Sequence, residues 1–365
     1  MEHTHHLLCA LALAQVGQGR CAPNPAVGAV VVHEGRVIAE AAHQGAGSAH
    51  AEVAALETLR AAQARGATVY VTLEPCCHHG KTPPCTDYLI ARGVGAVVYG
   101  LRDPNYQVAG QGAAQLRAAG IACTQHPLPE IQDFYASYTY WQRTQRPRVT
   151  AKLALSIDGK IAAPGGGPTP ITGPELQHYT HTLRDRSDAL LTTARTVIAD
   201  DPQYNVRLPD QPIRTKKLYV LDSGLSLPVQ ARVVTTTAAL TLFYRAEGMA
   251  PELHALQERV LLWEKQGVRC IALPSDPTQG LLTVLQQIGA DGIHDLWVEA
   301  GARCFASLVG ARLLHRALLY VSPKVLGAEA ISGFEGMMDL RAHATQVCWR
   351  PYGSEVVCDI RWEQG

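Results

Sequence analysis

Residues 47–85 read GSAHAEVAALETLRAAQARGATVYVTLEPCCHHGKTPPC, placing three histidines, three cysteines and three glutamates in what is otherwise plain helix and strand. Val53, Leu56 and Leu59 recur at helical spacing and predict a helix over residues 51–64. The run ATVYVTLEP predicts a strand closed by Pro75, and TDYLIARG a short helix stopped by glycine. Working outward, VGAVVVH, the turn EGR and VIAEAAH read as a hairpin of buried strands from Val27. Downstream, GAVVYG, GAAQLRAAG and IACT add a strand, a helix and a last strand. Such alternation implies an α/β sandwich around one sheet.

The chemistry is concentrated at His50, Glu52, Cys76 and Cys85. Zinc favours imidazole nitrogen and thiolate sulfur, and a catalytic zinc keeps three protein ligands and a water. His50, Cys76 and Cys85 supply that set, with Glu52 placed to move a proton between an activated water and the substrate. Helix amides after TPPC would favour a Cys85 thiolate. The competing reading is a closed structural site, for which Cys77, His78 and His79 are available as a fourth ligand. His-x-Glu with Pro-Cys-x-x-Cys is the general zinc-deaminase pattern. Here eight residues, not two, separate the cysteines.

The chain has 365 residues, enough for about two domains. Its 32 basic and 32 acidic side chains cancel, and neither a nucleic-acid nor a membrane partner is called for. The first nineteen residues, MEHTHHLLCALALAQVGQG, read as an amphipathic helix without signal peptide or anchor. Scattered cysteines suit reduced thiols in the cytoplasm. A shift to the aromatic, basic stretch FYASYTYWQRTQRPR over 134–148 marks the expected boundary between domains 1–146 and 147–365. The second domain starts with VTAKLALSIDGKIA, then a Gly/Pro-rich turn, and helices are expected over 174–185 and 281–288. Strands are expected over 189–192, at KLYVLD and at DLWVEAG, the last followed by a helix. No internal repeat or coiled coil is evident.

The motifs HAEVAAL, VTLEPCCHHGKTPPC, DPNYQVAGQG and APNPAVGAVVV together resemble the deaminase domain of the bifunctional riboflavin-biosynthesis deaminase/reductases. That family uses the long cysteine spacing. The resemblance covers essentially the whole chain and implies a cytidine-deaminase-like α/β/α sandwich followed by a dihydrofolate-reductase-like α/β domain. It implies zinc on His50, Cys76 and Cys85, with Glu52 as proton shuttle, and a phosphoribosylaminopyrimidine substrate. Asn24, His43, His78, Lys81, Asp103 and Asn105 are similar to residues lining that substrate pocket. Asn24 and Asp103 also suit simple turns.

KLALSIDGKIA, TARTVIADDPQYNVR and VEAGARCFASL resemble the reductase domain of the same family, whose cofactor is NADPH. No G-x-G-x-x-G follows its first strand, so a Rossmann reading is weak. The resemblance implies NADPH contacts from Ala154, Pro170, Thr196, Asp200 and Ser223. It adds the strand-to-helix turn of Gly301, Ala302, Arg303, Cys304, Phe305, Ala306 and Ser307, where free helix amides suit a phosphate. Lys152, Pro168, Arg184, Tyr204, Arg207 and Glu299 would face the phosphorylated sugar, with Arg184 and Arg207 suited to bidentate phosphate contacts.

Two positions depart from the family. GGPTPIT stands where GxSxWIT is common, so Pro170 replaces an aromatic; EAGAR replaces EGGP or EAGP. Neither change removes a group that does chemistry, but both bear on nicotinamide packing and leave NADH open beside NADPH. A homo-oligomer is compatible with this reading. Two alternatives remain at this level: a nucleic-acid deaminase, and a deaminase carrying a non-catalytic dimerisation module.

Overall fold

The computed structural model describes residues 2–78, 83–106, 108–246 and 250–363. The chain forms two units, Met1–Arg146 with Gly289–His294, and Pro147–Ile288 with Asp295–Gly365. Residues 289–294, expected with the second domain, therefore group with the first. The Trp141 indole N–H donates to the Gly289 carbonyl at 2.8 Å.

In the first unit the elements are α1 (Glu2–Gly17), β1 (Gly28–His33), β2 (Arg36–Ala42), α2 (Ala51–Glu57), α3 (Ala61–Ala64), β3 (Thr68–Leu73) and α4 (Cys85–Ala91). They continue through β4 (Ala96–Leu101), α5 (Gln111–Ala118), β5 (Ala122–Gln125), α6 (Pro129–Phe134) and α7 (Ala136–Thr144). One sheet runs β2-β1-β3-β4-β5, antiparallel across β1 and parallel from β3 to β5. The β1–β2 hairpin closes through Glu34 and Gly35, both left-handed at φ 50° and 73°. Such two-residue turns match strand twist.

Successive strand side chains point to opposite faces, and this sorts the core. Ala29, Val31, Val69, Val71, Val97 and Tyr99 pack with Ala55, Leu56, Leu89 and Leu116 from α2, α4 and α5. Val30, Val32, Tyr70 and Val98 pack on the other face with Leu7, Ala10, Leu11 and Ile131. The result is a sheet with helices on both sides. Gly28 is where α1 comes closest, since a Cβ there would sit 2.0 Å from the Ala10 carbonyl oxygen. Gly28→Ala should lower the unfolding free energy of this unit by about 3 kcal/mol in a urea titration, the upper end of overpacking costs.

One expectation changes. The helix expected over 51–64 breaks after Glu57: the Thr58 hydroxyl donates to Ala55 O at 2.8 Å, and Arg60, extended at ψ 151°, restarts the chain as α3. The aromatic stretch over 134–148, where the boundary was expected, also carries core residues of the first unit. Ile131, Tyr135 and Tyr138 recur at helical spacing and are buried in the core, and the Tyr135 hydroxyl bonds Thr72 Oγ1 at 2.6 Å.

The second unit contains β6 (Arg148–Ser156), β7 (Lys160–Ala162), α8 (Pro174–Arg186), β8 (Ala189–Thr193), α9 (Ala194–Asp200), β9 (Lys217–Leu221) and α10 (Val233–Thr236). Next come β10 (Ala239–Arg245), α11 (Ala250–Lys265), β11 (Arg269–Leu273), α12 (Pro277–Ala290), β12 (Asp295–Glu299) and α13 (Ala302–Gly310). The chain ends with β13 (Arg316–Ser322), β14 (Ile331–Ser332), β15 (Ala344–Tyr352) and β16 (Glu355–Trp362). The run VTAKLALSIDGKIA is two strands, because Gly159 at φ 73° turns the chain between β6 and β7.

Nine strands form the main sheet in the order β11-β10-β9-β8-β12-β6-β13-β16-β15. Pairing is parallel up to β13 and antiparallel for β16 and β15. Central strands such as β8 are buried on both faces and therefore read as continuous apolar runs. From β8 the chain leads to β9 on one side, and from β12 to β13 on the other. In open parallel sheets the crevice beyond such a divergence is where ligands bind. No helix among the described residues is long and apolar enough to cross a membrane.

Candidate metal centre and charged cluster

In the first unit, the end of β3 and the starts of α2 and α4 bring the predicted ligands together. His50 precedes α2 and Cys85 begins α4. His50 Nδ1 lies 3.1 Å from Cys85 Sγ and 3.5 Å from Cys76 Sγ, and all three ligand atoms fall within 4.8 Å of one another. Ligands at zinc bond lengths on a tetrahedron would place nitrogen and sulfur about 3.6 Å apart, so the triad fits a zinc ion. Among the described residues it is the one such group, and neither Cys77 nor His78 joins it. His79 and Lys81 lie outside the described residues.

The electrostatics favour a thiolate at Cys76 and a protonated thiol at Cys85, against the expectation that the α4 amides favour a Cys85 thiolate. Cys76 is held down at about 4 by hydrogen bonds from Cys85 and His50, against its burial. Its backbone environment helps, since the Cys85 N–H donates to Cys76 Sγ at 3.3 Å. The Cys85 thiol is pushed up because it donates to Cys76. Glu52 is 3% exposed and sits beside this cluster. Burial, then the charge of Cys76, pushes its carboxyl up to about 7.

The predicted substrate-side residues divide. Asn24 Nδ2 lies 3.3 Å from His43 Nε2, whose Nδ1 meets the Ala49 carbonyl at 3.1 Å. His43 and His50 meet edge to face, with ring centroids 5.4 Å apart. Burial lowers the His43 pKa, which keeps it neutral. Asp103 is buried, accepts the Asn105 N–H at 2.9 Å, and is pushed up to about 6 by burial. His78 is exposed. Sequence reasoning left Glu74 without a role. Here it is 3% exposed and accepts three backbone N–H groups, from Asp103, Gly110 and Ala113.

In the second unit a charged cluster forms at the end of β12. Arg184 grips Glu299 with Nε at 2.5 Å and Nη2 at 2.9 Å, and both side chains are nearly buried. Its Nη1 donates to the Asn205 carbonyl at 3.2 Å, and its guanidinium lies 5.4 Å from the Tyr204 ring centroid. Arg184 was expected to offer its fork to a phosphate; that fork is instead committed to Glu299. Burial pushes the Glu299 carboxyl up, but Arg184 overrides it and holds it at about 2.

Lys152 pairs with Glu299 in strand register, and its ammonium lies 5.4 Å from the Tyr320 ring centroid. Its pKa is lowered by burial, against the pull of Glu299. Asp200 ends α9 and is exposed, with Lys152 acting on its charge. Tyr204 is buried at φ 46°, and its hydroxyl donates to the Glu299 carbonyl at 3.2 Å. Arg207 donates to Gln203 at 3.0 Å and to Asn205, and its N–H reaches His181 at 3.1 Å.

Of the residues expected at NADPH, Thr196 sits in the first turn of α9, where the Thr193 hydroxyl caps its N–H at 3.3 Å. Ala154 packs against the core. Ser223, Pro168 and Pro170 are exposed, and the Pro170 carbonyl accepts Lys324 Nζ at 2.6 Å. Gly301 precedes α13 with no side-chain cap, and a Cβ built there meets nothing within 4 Å. That opening with free amides fits a cofactor phosphate. Ala302, Cys304 and Phe305 are buried beneath it, Ala306 is half-buried, and Ser307 and Arg303 are exposed, the latter paired with Glu335.

Trp297 and His181 escaped the sequence reading. The Trp297 indole donates to Glu299 at 2.7 Å. Its position two residues before Glu299 on one strand was the available signal, as such residues share a face. His181, one turn before Arg184 on α8, is held down at about 4 by burial and by Arg184 and Arg207.

Residues 1–101 match the cytidine and deoxycytidylate deaminase zinc-binding region, and residues 147–358 match the RibD C-terminal domain. The chain is 37% identical over 349 residues to riboflavin biosynthesis protein RibD of Escherichia coli K12, covering 93% of this chain and 94% of that protein. It is 35% identical to the Aquifex aeolicus protein of the same name, covering 88% and 87%. Among solved structures it resembles Acinetobacter baumannii RibD, with a TM-score of 0.84 at 30% identity, covering 100% and 99% of the two chains. It also resembles a diaminohydroxyphosphoribosylaminopyrimidine deaminase/5-amino-6-(5-phosphoribosylamino)uracil reductase from Thermotoga maritima. There the TM-score is 0.83 at 32% identity, with 99% and 98% covered.

Proposed function

The chain belongs to the RibD family of riboflavin-biosynthesis deaminase/reductases, and we propose that residues 1–146 deaminate diaminohydroxyphosphoribosylaminopyrimidine while residues 147–365 reduce the product. The observation that carries the first half is the convergence of His50, Cys76 and Cys85 beside buried Glu52. These three side chains would hold the zinc, which supplies Lewis acidity and a nucleophilic water at neutral pH. Glu52 takes a proton from the attacking water and returns it to the departing amine, so ammonia leaves. Asn24 and His43, linked to each other, orient the pyrimidine. Asp103 and Asn105 close the pocket from the β4–α5 loop.

For the second half, NADPH supplies a hydride, and the residues of this unit bind and orient. The uncapped turn at Gly301 receives a cofactor phosphate, and Lys152 and Arg207 bring positive charge to the phosphorylated sugar. The Arg184–Glu299 pair acts as a rigid floor under that sugar. Holding the reacting carbons together matters more in this step than acid–base chemistry. We place the enzyme in the cytoplasm, where its scattered cysteines would stay reduced.

Purified chain should release ammonia from the pyrimidine without NADPH, and should oxidise NADPH only when that first product is present. Removing zinc with a chelator should abolish ammonia release and leave NADPH-dependent reduction of supplied product unchanged. Ammonia release without any NADPH oxidation would instead leave the second unit as a non-catalytic module.

A further inference from the structure

We propose that Glu74 is a positioning residue that ties the metal-ligand strand end to the substrate-side loop. The inference rests on the deaminase reading above and adds a residue to it. Glu74 follows β3 immediately and stands two residues before Cys76; its N–H is held by the Leu101 carbonyl at 2.9 Å. Its carboxylate turns away from the ligands into the β4–α5 connection. Oε2 accepts Asp103 N–H at 3.3 Å and Gly110 N–H at 2.9 Å, and Oε1 accepts Ala113 N–H at 3.0 Å.

No side chain of the helix's own N-cap residue satisfies the first amides of α5. Glu74 does so from another element, where a negative charge also complements the helix dipole. The helix sits directly on this strand end: a Cβ on Gly112 would lie 2.0 Å from the Pro75 carbonyl oxygen. One buried carboxylate therefore spans both ends of the loop that carries Asp103 and Asn105, and references that loop to Cys76. Three donors converge on two oxygens, an arrangement that an acceptor-only carboxylate satisfies and an amide cannot.

The consequence is specific. Without Glu74 the metal triad keeps its own supports on β3, α2 and α4, while the Asp103–Asn105 loop loses its anchor. Glu74→Gln, which must turn an NH2 toward a donor, should raise KM for deamination about tenfold with a smaller change in kcat. Glu74→Ala should raise it further. In both variants zinc content should stay at one per chain, and reduction by the second unit provides an internal control on folding. Hydrogen exchange of the zinc-loaded protein should show lost protection confined to residues 103–113.

Unchanged KM in Glu74→Gln overturns the proposal, as does loss of zinc in step with activity, which would make Glu74 a support of the metal cage. If Glu74→Ala fails to fold, Glu74→Gln decides. Should the parent chain release no ammonia, the functional reading fails, while the exchange pattern still tests the tie itself.

Discussion

Glu52→Gln should cut ammonia release by about 10²–10⁴-fold with zinc still bound at the parental level. Glutamine keeps the size of the side chain, and Glu52 lies outside the group of three ligand atoms, so the metal cage should survive. What disappears is a group able to carry a proton from water to the leaving amine. The parent carboxylate is almost fully buried next to Cys85, so bulk water cannot readily stand in for it. The measurement pairs an ammonia assay with metal analysis of the same sample. Loss of zinc together with activity would reassign Glu52 to metal support, and retention of activity would remove it from the mechanism.

Arg184→Ala should destabilise the second unit by about 3 kcal/mol, because it strips buried Glu299 of its bidentate partner and leaves only Lys152 and the Trp297 indole to compensate the charge. The pair is bidentate, and its members are 11% and 12% exposed, so solvent screens it little. The effect should carry a pH signature. Glu299 is held at about 2, below its ordinary 4.5, so its contribution is fully present above pH 4.5 and fades as pH falls toward 2. In Arg184→Ala that acid-side slope should shrink or reverse, because burial then acts on Glu299 against Lys152 and Trp297 alone. Calorimetry of parent and variant across this window would check it. A variant as stable as the parent would mean that water reaches Glu299 freely. Replacing both partners with apolar residues should restore much of the stability and none of the reductase activity.

Much of the metal centre was legible in sequence because its parts are local. His50 and Glu52 flank one helix start, and Cys76 and Cys85 bracket one loop, so spacing alone limits where their side chains can go. The strands themselves were legible for the same reason, as the continuous apolar runs of β1, β3 and β4 belong to strands buried on both faces. The break between α2 and α3 was not, since it depends on a hydroxyl-to-carbonyl bond at Thr58 that helical periodicity does not encode. Nor was the burial of Tyr135 and Tyr138, whose composition resembles an exposed linker until α6 and α7 fold onto the sheet.

The sequence by itself determined which residue types could ligate a metal and move a proton, because those properties belong to side chains and to short spacings. Only the tertiary structure decided how buried charge is compensated. Arg184 reads as a phosphate ligand until Glu299, 115 residues away, takes its fork. Glu74 reads as a strand-end carboxylate until the amides of Asp103, Gly110 and Ala113 reach it. A charge removed from water must find its partners wherever the fold brings them, and sequence distance sets no limit on that search.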